Sequence, residues 1–151
     1  IEQRIKDWER VSARHKLTTS EKELSNLIFE RTGDEKNFAI IRSRGDAALF
    51  GGYVTKAMKK KLSVPNDRPL ADFLPTITIK AKDFATEITV FNVQDKNLGN
   101  EGEISNEHVK NNQGVRNVLL KRGIKPENLP AEEDVKKLER KLQSDERKSL
   151  K

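Results

Sequence analysis

Apolar residues recur along this chain at three- and four-residue intervals, the pattern of helices that bury one face. Ile1, Ile5 and Trp8 share such a face and predict a first helix over residues 1–16, ending in the basic turn Arg14-His15-Lys16. Ser20 and Glu23 have capping-box spacing, and Leu24, Leu27 and Ile28 follow as an inward stripe. A second helix is therefore expected, stopped by Gly33. Phe38, Ile40 and Ile41 open a third helix that should end near Gly45, with Ala47–Leu49 as a short continuation up to Gly51-Gly52. That glycine pair marks a sharp redirection, because it admits backbone angles closed to other residues. Tyr53–Leu62 reads as a helix with Val54, Ala57 and Met58 inward and its lysines outward.

Pro65–Pro69 reads as a loop and Leu70–Leu74 as a short helical turn. Thr76-Ile77-Thr78-Ile79 alternates with the period of a strand, whereas Phe84, Ile88 and Phe91 follow at helical spacing. The expectation is a helix over about residues 80–96, leaving 76–79 open to one short extended segment. Gly99 and Gly102 supply turns before Ser105, the expected N-cap of a helix over about residues 106–122 that Gly123 closes. Residues 124–130 form an extended connector, and Pro130 is placed to open the last helix. Glu132, Glu133 and Asp134 occupy its first turn, followed by a narrow stripe of Val135, Leu138 and Leu142, and the chain is expected to fray from Ser144.

These elements define an all-α fold class, one compact unit of six or seven helices. Residues 1–33 form an N-terminal helical pair and residues 34–151 the remaining helical domain. No capping residue precedes Ile1, so the first helix is expected to continue from an upstream segment, and the chain reads as a fragment of a longer protein.

Charge changes this picture more than any motif does. The 151 residues hold 30 Lys/Arg against 24 Asp/Glu, and 36% of the chain is charged against 34% apolar. Residues 36–66 alone carry seven Lys/Arg against Asp46, so the whole formal excess of +6 lies in one segment. A localised excess directs a field outward, and phosphate backbones are its commonest partner. The run Lys59-Lys60-Lys61 has no Glu at helical pairing distance, and Arg42 and Arg44 add guanidinium forks suited to phosphate. The expected nucleic-acid-binding residues are Arg42, Arg44, Lys56, Lys59, Lys60 and Lys61, assisted by Arg68, Lys80 and Lys82. The alternative is an ordinary solvated helix face. No sequence-reading motif accompanies them, and only Phe50 and Tyr53 stand near enough to stack on single strands.

Catalysis finds little footing. Gly45, Gly51 and Gly52 are followed by no Gly-Lys-Ser/Thr, so they read as turns between packed helices. His15 and His108 have no second ligand at metal spacing, and His108 is expected on the surface. Asp134 and Lys136 have a spacing seen in nucleases, but acids at a helix start are ordinary. No enzyme activity, metal or cofactor is expected. Zero cysteines exclude a disulfide framework and agree with a reducing, cytoplasmic location. No apolar run approaches the roughly 20 residues that cross a bilayer. A different function class also fits: the thin stripes of the first and last helices suit a partner helix, making the chain a protein-interaction or homodimerisation module. Their ordinary role would be docking within the chain.

Several strings carry a resemblance. Phe38-Ala39-Ile40-Ile41, Leu49-Phe50-Gly51-Gly52, Lys56 through Leu62 and Asp83-Phe84-Ala85-Thr86-Glu87 resemble the C-terminal region of the DNA-damage-inducible protein D family. So do His108-Val109, Val115-Arg116, Pro126 through Pro130 and Val135-Lys136-Lys137-Leu138-Glu139. The resemblance implies an N-terminal Bro-type DNA-binding domain ahead of a region like this one, induction in the bacterial DNA-damage (SOS) response and no established enzymatic activity. It brings no catalytic or ligand-binding residues. The joint expectation is an accessory or regulatory module in DNA repair that binds DNA, or a repair protein on DNA, through the basic segment without strong sequence preference.

Overall fold

The computed structural model describes residues 1–150, which form six α-helices and, among the described residues, no strand. Helix α1 runs unbroken over Glu2–Thr32, about 46 Å at 1.5 Å per residue. The expected break at residues 16–20 is absent. Ala13, Leu17, Ser20, Leu24 and Ile28 form one continuous inward stripe, so packing overrides the local capping pattern. Thr18 and Thr19 donate their hydroxyls to the carbonyls of Arg14 and His15, within the helix. Gly33 ends it at φ +75°, donating its N–H to Phe29 O at 2.8 Å.

Helix α2 (Lys36–Leu49) continues through Gly45, where a stop was expected. A Cβ there would lie 2.6 Å from His108 Nε2 and 2.9 Å from Asn112 Nδ2. The glycine therefore marks a close approach of helices. The expected redirection falls at Gly51 (φ +67°) and Gly52 (φ +109°), which turn the chain into α3 (Thr55–Lys61). A single 3-10 turn follows at Leu70–Phe73.

Helix α4 spans Thr76–Asp95, so residues 76–79 are helical and the extended alternative is corrected. Pro75 sits at the N-cap, and its carbonyl accepts from the Thr78 and Ile79 amides, both at 3.0 Å. Helix α5 (Glu101–Lys121) starts earlier than Ser105. Asn100 Oδ1 accepts from Glu103 N–H at 2.9 Å while its own amide donates to Glu103 Oε1 at 2.8 Å, a reciprocal cap. After a 3-10 turn at Pro126–Asn128, α6 spans Val135–Ser149. Its N-cap is Asp134, accepting from Lys136 N–H at 3.0 Å, and not Pro130; its last residues are helical and not frayed.

The strongest packing joins α1 to α4 and α2 to α5, with α4 against α5 closing the bundle and α6 lying on α1. Two apolar clusters fill it: Leu17, Leu49, Phe50, Met58, Leu74 and Ile79 in one, Leu24, Ile28, Ile41, Val90, Val93 and Ile104 in the other. A buried polar layer separates them on every long helix: Ser20 on α1, Asp46 on α2, Lys82, Thr86 and Thr89 on α4, His108 and Asn112 on α5. A third cluster packs Trp8 and Val11 against Val135, Leu138 and Leu142. The thin stripes of the first and last helices thus serve docking within the chain, although Ile1 and Ile5 stay exposed.

Candidate nucleic-acid interface

The Gly51-Gly52 turn folds α3 back toward α2, and Thr55 in the first turn of α3 donates its hydroxyl to Asp46 Oδ2 at 2.5 Å. That contact sets Lys56 and Lys59 beside Arg42 and Ser43 of α2. Together with Ala39, Thr55 and Asn66 they line a cleft of about 460 Å³. A recess of about 40 Å³ adjoins it, sharing Arg42, Thr55 and Lys59, with Asp46 and Lys82 also in its wall. The Arg42 guanidinium lies over the Phe38 ring, 5.2 Å from its centroid, and its Nε is shielded from solvent without a hydrogen-bond partner. Lys59 Nζ donates to Asn66 O at 3.2 Å. Lys60 is exposed near the end of α3. None of these four cations has an acidic partner among the described residues.

The remaining expected residues diverge from that cleft. Lys61 turns to the other flank of α3, over the Tyr53 ring at 4.5 Å and 3.4 Å from Asn128 Oδ1. Arg44 is held by Glu101 at 2.8 Å and Ser105 at 2.9 Å. Arg68 forks onto Asp134 at 2.6 and 2.9 Å and reaches Asp72 at 2.9 Å. Those bonds, Asp134 first, raise the Arg68 pKa, and the same fork holds the Asp134 carboxyl below its ordinary value. Lys80 pairs with Glu9 at 2.7 Å and by that hydrogen bond lowers the Glu9 pKa. Lys82 is buried in the polar layer, paired with Asp46. Arg44, Arg68, Lys80 and Lys82 are therefore committed to acids from other parts of the chain. Their charge does not join that of the cleft.

Ser43, Thr55 and Asn66 complete the cleft, and no signal in the local sequence singles them out. The one indirect clue is the glycine pair that makes the α2–α3 hairpin.

His108 is buried, not on the surface. Its Nδ1 lies 2.8 Å from Thr89 Oγ1, whose proton is committed to Ala85 O, so the imidazole donates from Nδ1. Burial, and then the Lys82 charge, push its pKa down to about 4. Among the described residues no three His, Asp or Glu side chains are grouped as metal ligands, and no helix is long and apolar enough to cross a membrane.

A second surface feature is apolar. Ile77, Phe84 and Phe91 recur every seven residues along α4 and are 44%, 59% and 65% exposed. Beside them a groove of about 260 Å³ runs to Val115, Val118 and Leu119 of α5. Phe84 and Phe91, whose spacing marked the helix, face solvent.

No curated protein and no solved structure matches the chain. The family model described as the DinD C-terminal domain matches residues 5–138, a span that holds the basic cleft, the buried polar layer and the α4 ridge. The chain belongs to the DinD C-terminal domain family, as the strings along α2 to α6 led one to expect.

Proposed function

We propose that this domain is a non-enzymatic accessory module of a bacterial DNA-damage-response protein, contacting DNA or a protein–DNA assembly without strong sequence preference. The observation that carries this reading is a cluster: Arg42, Lys56, Lys59 and Lys60, each without an acidic partner among the described residues, gather on the α2–α3 hairpin. In a chain with 24 acids, cations kept free of them favour an anionic partner. The buried histidine His108 and the buried acid Asp46 are spent on contacts between helices, which supports a binding role over a catalytic one.

Fluorescence anisotropy with labelled single- and double-stranded oligonucleotides tests it. With three lysine–phosphate contacts to duplex DNA, affinity falls about forty-fold between 50 and 200 mM salt. Replacing Lys56, Lys59 and Lys60 by Ala is expected to remove that dependence and weaken binding more than tenfold at 50 mM salt. Lys80→Ala, at a paired lysine, leaves both unchanged. A triple variant with parental affinity and salt slope overturns the reading.

One observation favours a second reading, self-association. The exposed α4 ridge has heptad spacing and is flanked by Lys80 and Glu87. An antiparallel pairing centred near Phe84 sets Ile77 of one copy by Phe91 of the other, so a second copy of this chain complements the ridge in shape.

A further inference from the structure

We infer that the cleft between α2 and α3 is a seat for a phosphate monoester, such as the terminal phosphate of a nucleic-acid strand. This deepens the DNA-binding reading and rests on the same cations. Its wall contains Arg42, Lys56 and Lys59 and no acid, and the other polar groups are Ser43, Thr55 and Asn66. Three positive charges beside the Ser43 hydroxyl and the Asn66 amide match a dianion whose oxygens each need donors; the Thr55 hydroxyl is spent on Asp46.

Arg42 is the specific part. Phe38 fixes the plane of its guanidinium, and no ion pair or hydrogen bond to the described residues uses its donors. A guanidinium held in a wall with an unpartnered, solvent-shielded N–H is costly unless an acceptor arrives. Two acids line the recess behind, and neither meets that need: the Asp46 oxygens are taken by Lys82 and Thr55, and Glu21 makes no ion pair or hydrogen bond with Arg42. The cleft wall has no aromatic side chain and only Ala39 as an apolar one, so it offers nothing to a base. A phosphate at the end of a strand can enter such a cleft, whereas an internal phosphodiester carries a sugar on both sides and one charge only. The monoester is the better match in charge and in shape.

The test uses the protein with two probes. Inorganic phosphate is titrated while the Arg42 Nε–H and the Ser43 and Thr55 amides are followed by NMR. Oligonucleotides identical except for a 5′-phosphate or 5′-hydroxyl are then compared by anisotropy. Expected are saturable shifts at those three residues, and at least tenfold tighter binding of the phosphorylated strand that inorganic phosphate competes away. Arg42→Lys keeps the charge but loses the planar fork, and is expected to abolish the preference for the phosphorylated end. Lys56→Ala, at an exposed position, weakens phosphate binding without touching the fold. If both oligonucleotides bind equally and phosphate shifts nothing, the monoester seat is wrong while the DNA reading stands. If phosphate binds in the cleft but neither oligonucleotide does, the seat stands, its ligand is a free phosphate compound, and the DNA reading falls.

Discussion

His108 is neutral because of where it sits. Its ring lies against Gly45, donates from Nδ1 to Thr89, and shares the polar layer with Asn112 and the Asp46–Lys82 pair. Glu107 and Asp46 pull its pKa upward, but burial and Lys82 prevail and set it at about 4. Since the folded value lies below the ordinary 6.5, the unfolded chain takes up a proton first as pH falls. The contribution is complete above about pH 6.5 and is lost progressively toward pH 4, about 2 kcal/mol of it by pH 5. Glu127 and Asp134, held low by Arg116 and Arg68, lose their contribution only below their own ordinary values of 4.5 and 3.8. The two windows overlap only between about pH 4.5 and 4. NMR titration is expected to show the His108 imidazole unprotonated down to pH 5, and an inflection near 6.5 refutes this. None of it was legible locally: His108 lies between Glu107 and Val109, and the glycine that receives it is on another helix. Gly45 itself looked like a helix stop, because a sequence shows the missing side chain and not the ring that needs the space.

At the scale of elements, helix existence was legible and helix continuity was not. Gly33, the Gly51-Gly52 turn and the apolar spacing placed most of the helices, since these are local backbone and periodicity effects. Ser20 and Glu23 imitated a cap inside α1, where the inward stripe runs straight through. On α4 the spacing of Phe84, Ile88 and Phe91 marked the helix, yet Phe84 and Phe91 lie on its outer face. The true inner stripe runs through Thr78, Lys82, Thr86 and Thr89, which a hydrophobicity pattern scores as surface. Lys82 is buried against Asp46 of α2 and Thr89 against His108 of α5, while Thr86 bonds back to its own helix. The Lys82–Asp46 pair yields a prediction. Asp46→Asn leaves Lys82 buried without its counter-charge, and Lys82→Met does the same to Asp46; each is expected to cost about 3–5 kcal/mol in urea unfolding. The combination Asp46→Asn with Lys82→Met removes both charges and is expected to be clearly less destabilised than the sum of the single changes. Simple additivity would show that the pair does not act as a unit.

Across the whole molecule, the sequence located the charge excess but overstated how much of it is free. Arg44, Arg68, Lys80 and Lys82 are answered by acids from elsewhere in the chain, which no linear count reveals, whereas the α3 lysines and Arg42 stay unpaired. The apolar ridge of α4 is the complementary surprise, a row of large side chains left uncovered by the chain's own helices. Isolated exposed apolar residues are ordinary, but a heptad-spaced row continuous with a groove is the form a helix-pairing surface takes. Stable pairing needs about 1,000 Å² or more of total buried surface, which an antiparallel contact can supply by taking in α4 and the Val115–Leu119 edge of α5 together. Analytical ultracentrifugation is expected to show concentration-dependent dimers. Phe84→Asp places like charges face to face on the two-fold axis and is expected to give a monomer with parental unfolding behaviour, since Phe84 is 59% exposed. A monomer at every concentration removes the α4 ridge as a dimer surface.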